Sequence, residues 1–272
     1  MGQLLRQVAR VGAGALASRS AYVVLNRVQP GGQALWSRTN HRGEQVSLLS
    51  GPALAVSAAV TAAAGAPTGM RSAAAGASLV SGALGTYDDI VGQRADQKGA
   101  KGFRGHLGAL REGRITSGLV KLVGVGLTGI VAAGSITTRP VDRVVAGGVI
   151  AGTANLFNLL DLRPGRALKA AIGLGAATLG GPSGGIAAGP VGASAGLLPD
   201  DLGERTMLGD GGANAIGAVL GLRLAAAGGP VSRAVTLAVL AALTLASEKV
   251  SFTKVIESTP VLREVDALGR RQ

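Results

Sequence analysis

Three short polar groups in this chain have residue types and spacings suited to binding a cation and a phosphate. They are the pair Asp88-Asp89, the triplet Asn155, Asn158 and Asp161, and the single Asp210 in a glycine-rich turn. Magnesium prefers carboxylate oxygens together with phosphates and waters. Each group stands at one end of an apolar stretch, where ionisable side chains are costly and tend to be functional. We therefore expect these groups to hold a divalent cation against a phosphorylated ligand, provided that the fold brings them together.

Each group also has a structural interpretation. Three-residue spacings place the triplet along one helical face. Capping or packing would explain a single asparagine, whereas three polar residues at this regular spacing favour a role in positioning a ligand. The pair Asp88-Asp89 is either solvated loop charge or a magnesium site. Asp210 fits a helix N-cap, and it equally fits a metal ligand on a tight turn whose backbone N–H groups face a phosphate.

The composition predicts that membrane helices position these groups. The 272 residues are 47% hydrophobic and only 15% charged, whereas soluble domains carry roughly 25% charged residues. With 45 glycines and 2% aromatic residues, the chain suits close helix contacts in lipid better than a soluble core. We predict an all-α fold: a polytopic membrane helix bundle that forms a single domain, 1–272.

Nine apolar segments are predicted to be the transmembrane helices, although several are shorter than the ~20 residues that span a bilayer. They cover 8–25, 48–66, 72–87, 115–134, 144–160, 167–181, 185–199, 211–228 and 232–247. The N-terminus loosely resembles a signal peptide, but Arg10 interrupts its apolar stretch, so we expect a retained first helix. The tail 248–272 alternates charged and apolar residues, which predicts an amphipathic cytoplasmic helix that starts or breaks near Pro260.

The basic residues assign the sides of the membrane. They are concentrated in 26–47, in 88–114 and after 247, and calling these regions cytoplasmic satisfies the positive-inside rule. This assignment places all three polar groups on the inner face; the charges at 139–143 are outside, as an exception. The net charge of +12 is explained in the same way. The chain lacks the interleaved aromatic and basic residues that would indicate nucleic-acid binding. Without cysteine, disulfide and thiolate chemistry are excluded.

The order of these motifs resembles the polyprenyl-phosphate sugar-1-phosphate transferases. This family includes phospho-MurNAc-pentapeptide transferase and the related GlcNAc-1-phosphate transferases, and the resemblance extends over about 36–222. The motifs that carry it are Arg38-Thr39-Asn40-His41-Arg42-Gly43, Tyr87-Asp88-Asp89-Ile90-Val91-Gly92, Gly118-Leu119-Val120-Lys121-Leu122, Asn155-Leu156-Phe157-Asn158-Leu159-Leu160-Asp161 and Met207-Leu208-Gly209-Asp210-Gly211-Gly212.

The resemblance implies a magnesium enzyme at the cytoplasmic face of the bacterial inner membrane. Such an enzyme transfers a sugar 1-phosphate from a nucleotide-sugar, UDP-linked by default, to a polyprenyl phosphate in cell-envelope glycan synthesis; a homodimer is left open. The implied metal ligands are Asp210 with Asp88 or Asp89, and the other aspartate of the pair orients or deprotonates the lipid phosphate. Asp161 is implied as a further catalytic residue. The implied substrate-binding residues are Asn155, Asn158, Lys121 and Arg42, although surface anchoring is an equally good interpretation of Arg42.

Two departures from the family keep alternatives open. After Asp161 the family continues Gly-x-Asp-Gly, whereas this chain has Pro164 in place of the second aspartate, which the family associates with nucleotide recognition. No histidine follows His106, so the family's late histidine-rich loop is missing and the tail takes its place. A degenerate relative that binds polyprenyl phosphate or a membrane partner is therefore the second hypothesis. A cation transporter is the third; it is disfavoured because the aspartates lie on one face and no repeat is visible.

Overall fold

The computed structural model describes residues 2–40, 42–94 and 102–271, and in this part the chain is mostly helical. A small antiparallel hairpin joins β1 (Ser37–Thr39) to β2 (Gln45–Ser47), and a 3-10 turn covers Thr68–Met70. The α-helices are α1 (Gly2–Val28), α2 (Gln33–Trp36), α3 (Ser50–Gly65), α4 (Arg71–Val91), α5 (Gly102–Arg111), α6 (Ser117–Ala133), α7 (Pro140–Leu160), α8 (Arg166–Ala177), α9 (Gly185–Leu202), α10 (Gly209–Ala227), α11 (Pro230–Ser247), α12 (Phe252–Ser258) and α13 (Pro260–Ala267). The predicted all-α class is confirmed.

Each of the nine apolar segments predicted from the sequence falls on a helix of this fold. Two of these helices, α7 and α11, are long and apolar enough to be candidate membrane spans. The helices α3 and α6 are apolar but shorter, with 16 and 17 residues. A bundle of nine spans is therefore not established, and the number of spans beyond these two remains a prediction.

The helix α10 lies at the centre of the bundle. It packs against α3, α4 and α7, and Ile216, Leu220 and Leu222 are buried on its different sides. By contrast, α11 contacts mainly α7 and leaves large apolar residues such as Val235 and Leu245 exposed. A helix buried on all sides positions its N-terminus firmly, and the N-terminus of α10 carries Asp210.

A close approach at Gly85 fixes where α4 crosses α10. A Cβ atom at Gly85 would lie 2.2 Å from the backbone oxygen of Asp210 and 2.7 Å from the backbone nitrogen of Gly211. Only a residue without a side chain permits this main-chain contact, which is typical of helices packed through small residues. The crossing places the last turn of α4, with Asp88 and Asp89, beside the first turn of α10.

This contact predicts that Gly85→Ala destabilises the protein, whereas Gly76→Ala on the same helix does not. At Gly76 a Cβ would meet nothing within 4 Å, so alanine there is neutral or gains up to about 1 kcal/mol. At Gly85 the added methyl group forces two backbones apart, at about 1–3 kcal/mol. Thermal unfolding of the two variants in detergent measures the difference; equal stabilities would refute the close crossing.

Charged residues that were difficult to place from the sequence are paired. Arg19, within the first predicted span, forms a salt bridge with Asp200 and so links α1 to the C-terminal end of α9. At the opposite end of the bundle, Asp142 at the start of α7 pairs with Arg233 of α11 at 2.6 Å. These ion pairs explain how charges at the ends of apolar helices are accommodated.

Candidate functional site

Three residues that are distant in the sequence form one ion cluster. The ammonium of Lys121, in the second turn of α6, lies 2.6 Å from Asp88 Oδ2 at the end of α4. The same ammonium contacts Asp210 Oδ2 in the first turn of α10. The side chains of Lys121, Asp88 and Asp210 are 17%, 16% and 27% exposed, so the cluster is partly shielded from solvent but reachable. Three of the residues predicted from the motifs thus lie together; their roles stay predictions.

Asp89 caps the start of α10. Its Oδ1 accepts a hydrogen bond from the backbone N–H of Asp210 at 3.1 Å, and its Oδ2 accepts one from Gly211 at 2.9 Å. Gly209 precedes them with φ +65°, where a Cβ would lie 2.8 Å from Asp89 Oδ2. Two expectations are therefore wrong: Asp210 is not the N-cap, because it lies inside the first turn, and the N–H groups of Asp210 and Gly211 are already bound by a carboxylate.

The side chain of Arg38 fastens the hairpin to this cluster, a role that the sequence did not indicate. Its Nη2 donates to the backbone oxygen of Asp89 at 2.6 Å. Its Nη1 donates to the carbonyls of Leu35 and Ser37 at 3.0 and 2.7 Å. A rigid guanidinium with several donors suits such a junction, so Arg38 holds the β1–β2 hairpin against the end of α4.

Asp161 lines a cavity of about 140 Å³ next to the ion cluster. Asp201, Glu204, Pro164 and Thr39 are among the other residues of its wall. Burial, reinforced by the nearby carboxylates of Asp201 and Asp210, raises the pKa of the Asp161 carboxyl well above its usual range. Asp161 therefore holds a proton more readily than an exposed aspartate does and is able to donate as well as accept a hydrogen bond.

The acidic residues at the end of α9 complete this cavity. Asp201 Oδ2 accepts a hydrogen bond from the backbone N–H of Gly165 at 2.6 Å, which fixes the loop after Asp161. Glu204 Oε2 accepts one from Asn40 Nδ2 at 2.8 Å. The sequence indicated no role for Asp201 or for Glu204. No local pattern identifies Glu204, since its partners come from the distant hairpin.

Three predicted substrate-binding residues are placed differently from Lys121. Asn155 Nδ2 donates to Thr244 Oγ1 of α11 at 3.1 Å, so this side chain joins two helices. Asn158 is partly exposed in the last turn of α7. Arg42 pairs with Glu204 at 3.1 Å and donates to the backbone oxygen of Arg271 at 2.8 Å, which are contacts of the anchoring kind. His41, in the same motif, lies outside the described residues.

The carboxylates of the cluster face an ammonium where the sequence predicted a metal. Over the described ranges, no group of three or more histidine, cysteine or acidic side chains has an arrangement ready to hold a metal ion. Lys121 accounts for part of this result, because its ammonium lies between Asp88 and Asp210. Both carboxylates nevertheless converge on a positive charge at this point.

No protein-family model and no curated protein matches the chain.

Proposed function

We propose that the protein is a magnesium-dependent transferase that moves a sugar 1-phosphate from a nucleotide-sugar to a polyprenyl phosphate. The observation that carries this proposal is the convergence of Asp88, Asp210 and Lys121 beside the N-terminus of α10. Phosphoryl transfer needs positioning and charge neutralisation more than covalent chemistry. Two carboxylates and an ammonium that are partly shielded from solvent provide the groups for that task.

A membrane location is part of the proposal. The nine apolar helices would span a bacterial cytoplasmic membrane, with the site on the inner face, because the basic regions flank the same ends of the helices. The exposed valines and leucines of α11 support this arrangement, since these apolar side chains would contact lipid. The lipid substrate would then reach the site from within the bilayer.

The donor set fits magnesium if Lys121 moves. Asp88 and Asp210 supply the carboxylate oxygens that this ion prefers, with the remaining positions left to phosphate and water. The ammonium marks the point where positive charge is already stabilised. When bound, magnesium would neutralise the diphosphate and polarise its oxygens. Lys121, released from the carboxylates, would then pair with a phosphate oxygen.

The three remaining aspartates would have different roles: Asp88 near the reacting groups, Asp89 at the start of α10, and Asp161 in binding the donor. In the proposed reaction a lipid phosphate oxygen bonds to the phosphorus that bears the sugar, and the bond from that phosphorus to the nucleoside monophosphate breaks. Asp89 holds the α10 terminus in place through its two N–H contacts, which leaves Asp88 as the aspartate of the pair nearer the reacting groups. Asp161 faces the neighbouring cavity, where it would bind hydroxyl or N–H groups of the donor.

The proposal is tested with purified protein, undecaprenyl phosphate and a panel of labelled nucleotide-sugars. We expect lipid-linked label from at least one donor, strict dependence on Mg²⁺, and loss of product on adding EDTA. Protein that is folded, as judged by thermal unfolding, and yet makes no product from a broad panel would overturn it.

A second candidate is an inactive relative that binds polyprenyl phosphate or a membrane partner. The observation that favours it is Pro164, which replaces an acidic residue of the family motif and whose carbonyl is bound by Arg270 at 2.9 Å. Genetic complementation separates the two functions. If Asp88→Asn and Asp210→Asn each restore a deletion strain fully, the biological role does not require catalysis.

A further inference from the structure

The C-terminal segment 266–271 is anchored to the protein by a buried ion pair. Arg166 at the start of α8 donates Nε and Nη2 to the two oxygens of Asp266, at 2.8 and 2.9 Å. The Arg166 and Asp266 side chains are only 5% and 8% exposed. Burial opposes ionisation, but the hydrogen bonds and charges of Arg166 and Arg270 outweigh it and lower the pKa of the Asp266 carboxyl. Such a bidentate pair fixes both position and direction.

The orientation of α13 shows that this anchor determines how the tail docks. Asp266 is buried, whereas the apolar residues Val261, Val265 and Leu268 are exposed. A helix held by apolar contacts would have the opposite arrangement. The polar contacts of the tail are therefore the specific ones.

From this anchor, the tail contacts the loop that follows Asp161. Arg270 Nη2 bonds to Asp266 Oδ1 at 2.7 Å, and Arg270 Nε donates to the carbonyl of Pro164 at 2.9 Å. Lys169 adds a bond to the backbone oxygen of Asp266 at 2.7 Å. The loop 161–166 is thus held by the tail on one side and by Asp201 on the other.

The next residue, Arg271, contacts two more chain segments that contribute residues to the same cavity. The backbone N–H of Arg271 reaches the carbonyl of Leu202 at 3.4 Å. Its side chain pairs with Glu44 at 2.9 Å, and its carbonyl accepts a hydrogen bond from Arg42 at 2.8 Å. Arg271 therefore joins the hairpin loop to the end of α9.

We infer that the tail is a positioning element of the donor site: Asp266, Arg270 and Arg271 hold together the three loops that form the Asp161 cavity. This inference rests on the proposed function for its catalytic consequence. Since loop closure on a ligand loses less entropy when the loops are already fixed, the tail should affect donor binding more than the chemical step. The tail thereby braces the loops that line the cavity from outside it.

The docking itself is tested without any assay of activity. Hydrogen–deuterium exchange is compared for full-length protein in nanodiscs, as wild type, Arg270→Gln and Asp266→Asn. We expect the amide exchange rates in 161–166 and 39–44 to rise at least about tenfold in both variants, because the free energy of local opening falls. Exchange in the α4–α10 contact around Gly85 should not change.

Arg263→Gln is the matched control, because this arginine is an exposed residue of α13, the helix that carries Asp266. Its loop exchange should equal that of the wild type. If Asp266→Asn does not fold, Arg270→Gln decides alone, since it leaves the Arg166–Asp266 pair intact. Unchanged exchange in the loops of Arg270→Gln would overturn the inference.

The catalytic consequence is a difference between KM and kcat. We expect Arg270→Gln to raise KM for the nucleotide-sugar about tenfold, with kcat and the KM for lipid within about twofold of wild type. Arg270→Lys, which keeps the charge next to Asp266 but lacks the fork that also reaches Pro164, should recover only part of the donor affinity. A wild-type donor KM in Arg270→Gln would refute the positioning role. If wild-type protein shows no transfer at all, the proposed function fails while the exchange experiment still decides whether the tail clamps the loops.

Discussion

Asp210→Asn lowers the rate of transfer by about a thousandfold while the protein remains folded. The substitution removes the carboxylate that faces Lys121 at the N-terminus of α10, and losing one preorganised charged group at a reacting centre typically costs 10²–10³-fold. The fold should persist because Asp88 still pairs with the ammonium, and because Asp89 still caps α10 through backbone groups that the substitution leaves in place. The measurement is initial rate at saturating donor and Mg²⁺.

Glu112→Gln is the control for Asp210→Asn. It also neutralises one carboxylate, but Glu112 is an exposed residue paired with Arg114 at 2.7 Å and is not a member of the ion cluster. We expect rates within about twofold of wild type, as for surface substitutions in general. An Asp210→Asn enzyme that keeps more than a tenth of wild-type activity would show that Asp210 is not a metal ligand.

Lys121→Met makes the stability of the protein depend on magnesium. Without the ammonium, Asp88 and Asp210 face each other with no positive partner between them. Breaking a fully buried pair costs about 3–5 kcal/mol; the partial exposure of this cluster reduces the expected loss in EDTA to about 2–3 kcal/mol. Magnesium should recover much of this loss by taking the position of the ammonium. Thermal unfolding with and without Mg²⁺ measures the effect and needs no substrate.

Lys254→Met is the comparison for Lys121→Met, since Lys254 is exposed on α12. It should unfold like wild type in EDTA and show the wild-type response to Mg²⁺. If Lys121→Met gains no more from Mg²⁺ than Lys254→Met does, the two carboxylates do not form a metal site, whatever the activity of the protein.

Long apolar stretches were sufficient to predict the helices, because such segments must satisfy their backbone hydrogen bonds internally in lipid. Their limits were less predictable: segment 167–181 yields a helix that ends at Ala177, and α1 extends well before the predicted start at residue 8. The meeting of Asp88 with Asp210 was anticipated from their predicted place on one face of the membrane and from the resemblance, which implies that Asp210 shares a metal ion with Asp88 or Asp89. The contact itself depends on Gly85, whose backbone approach to another helix has no local signature.

The parts of the site that the sequence did not reveal depend on long-range partners. The cap of α10 comes from Asp89, 121 residues before the amide that it binds. Asp266 was part of an alternating charged and apolar tail, which predicts a solvent-facing residue, yet Arg166 buries it from 100 positions away. The three-residue spacing predicted that Asn155 shares a helix face with Asp161. A helix face is broad, however, and the Asn155 side chain bonds to Thr244 of α11 instead.

The main-chain contact at Gly85 has a thermodynamic consequence for any ligand of the ion cluster. No side-chain rotation at this crossing is available to alter the separation between the ends of α4 and α10, so the backbones that carry Asp88 and Asp210 keep a set separation before a ligand arrives. Binding of a ligand at the ion cluster would therefore order few protein groups. The main free-energy cost of binding would be the desolvation of the metal ion and the diphosphate. Calorimetry should therefore find a heat capacity change too small for coupled folding of the protein.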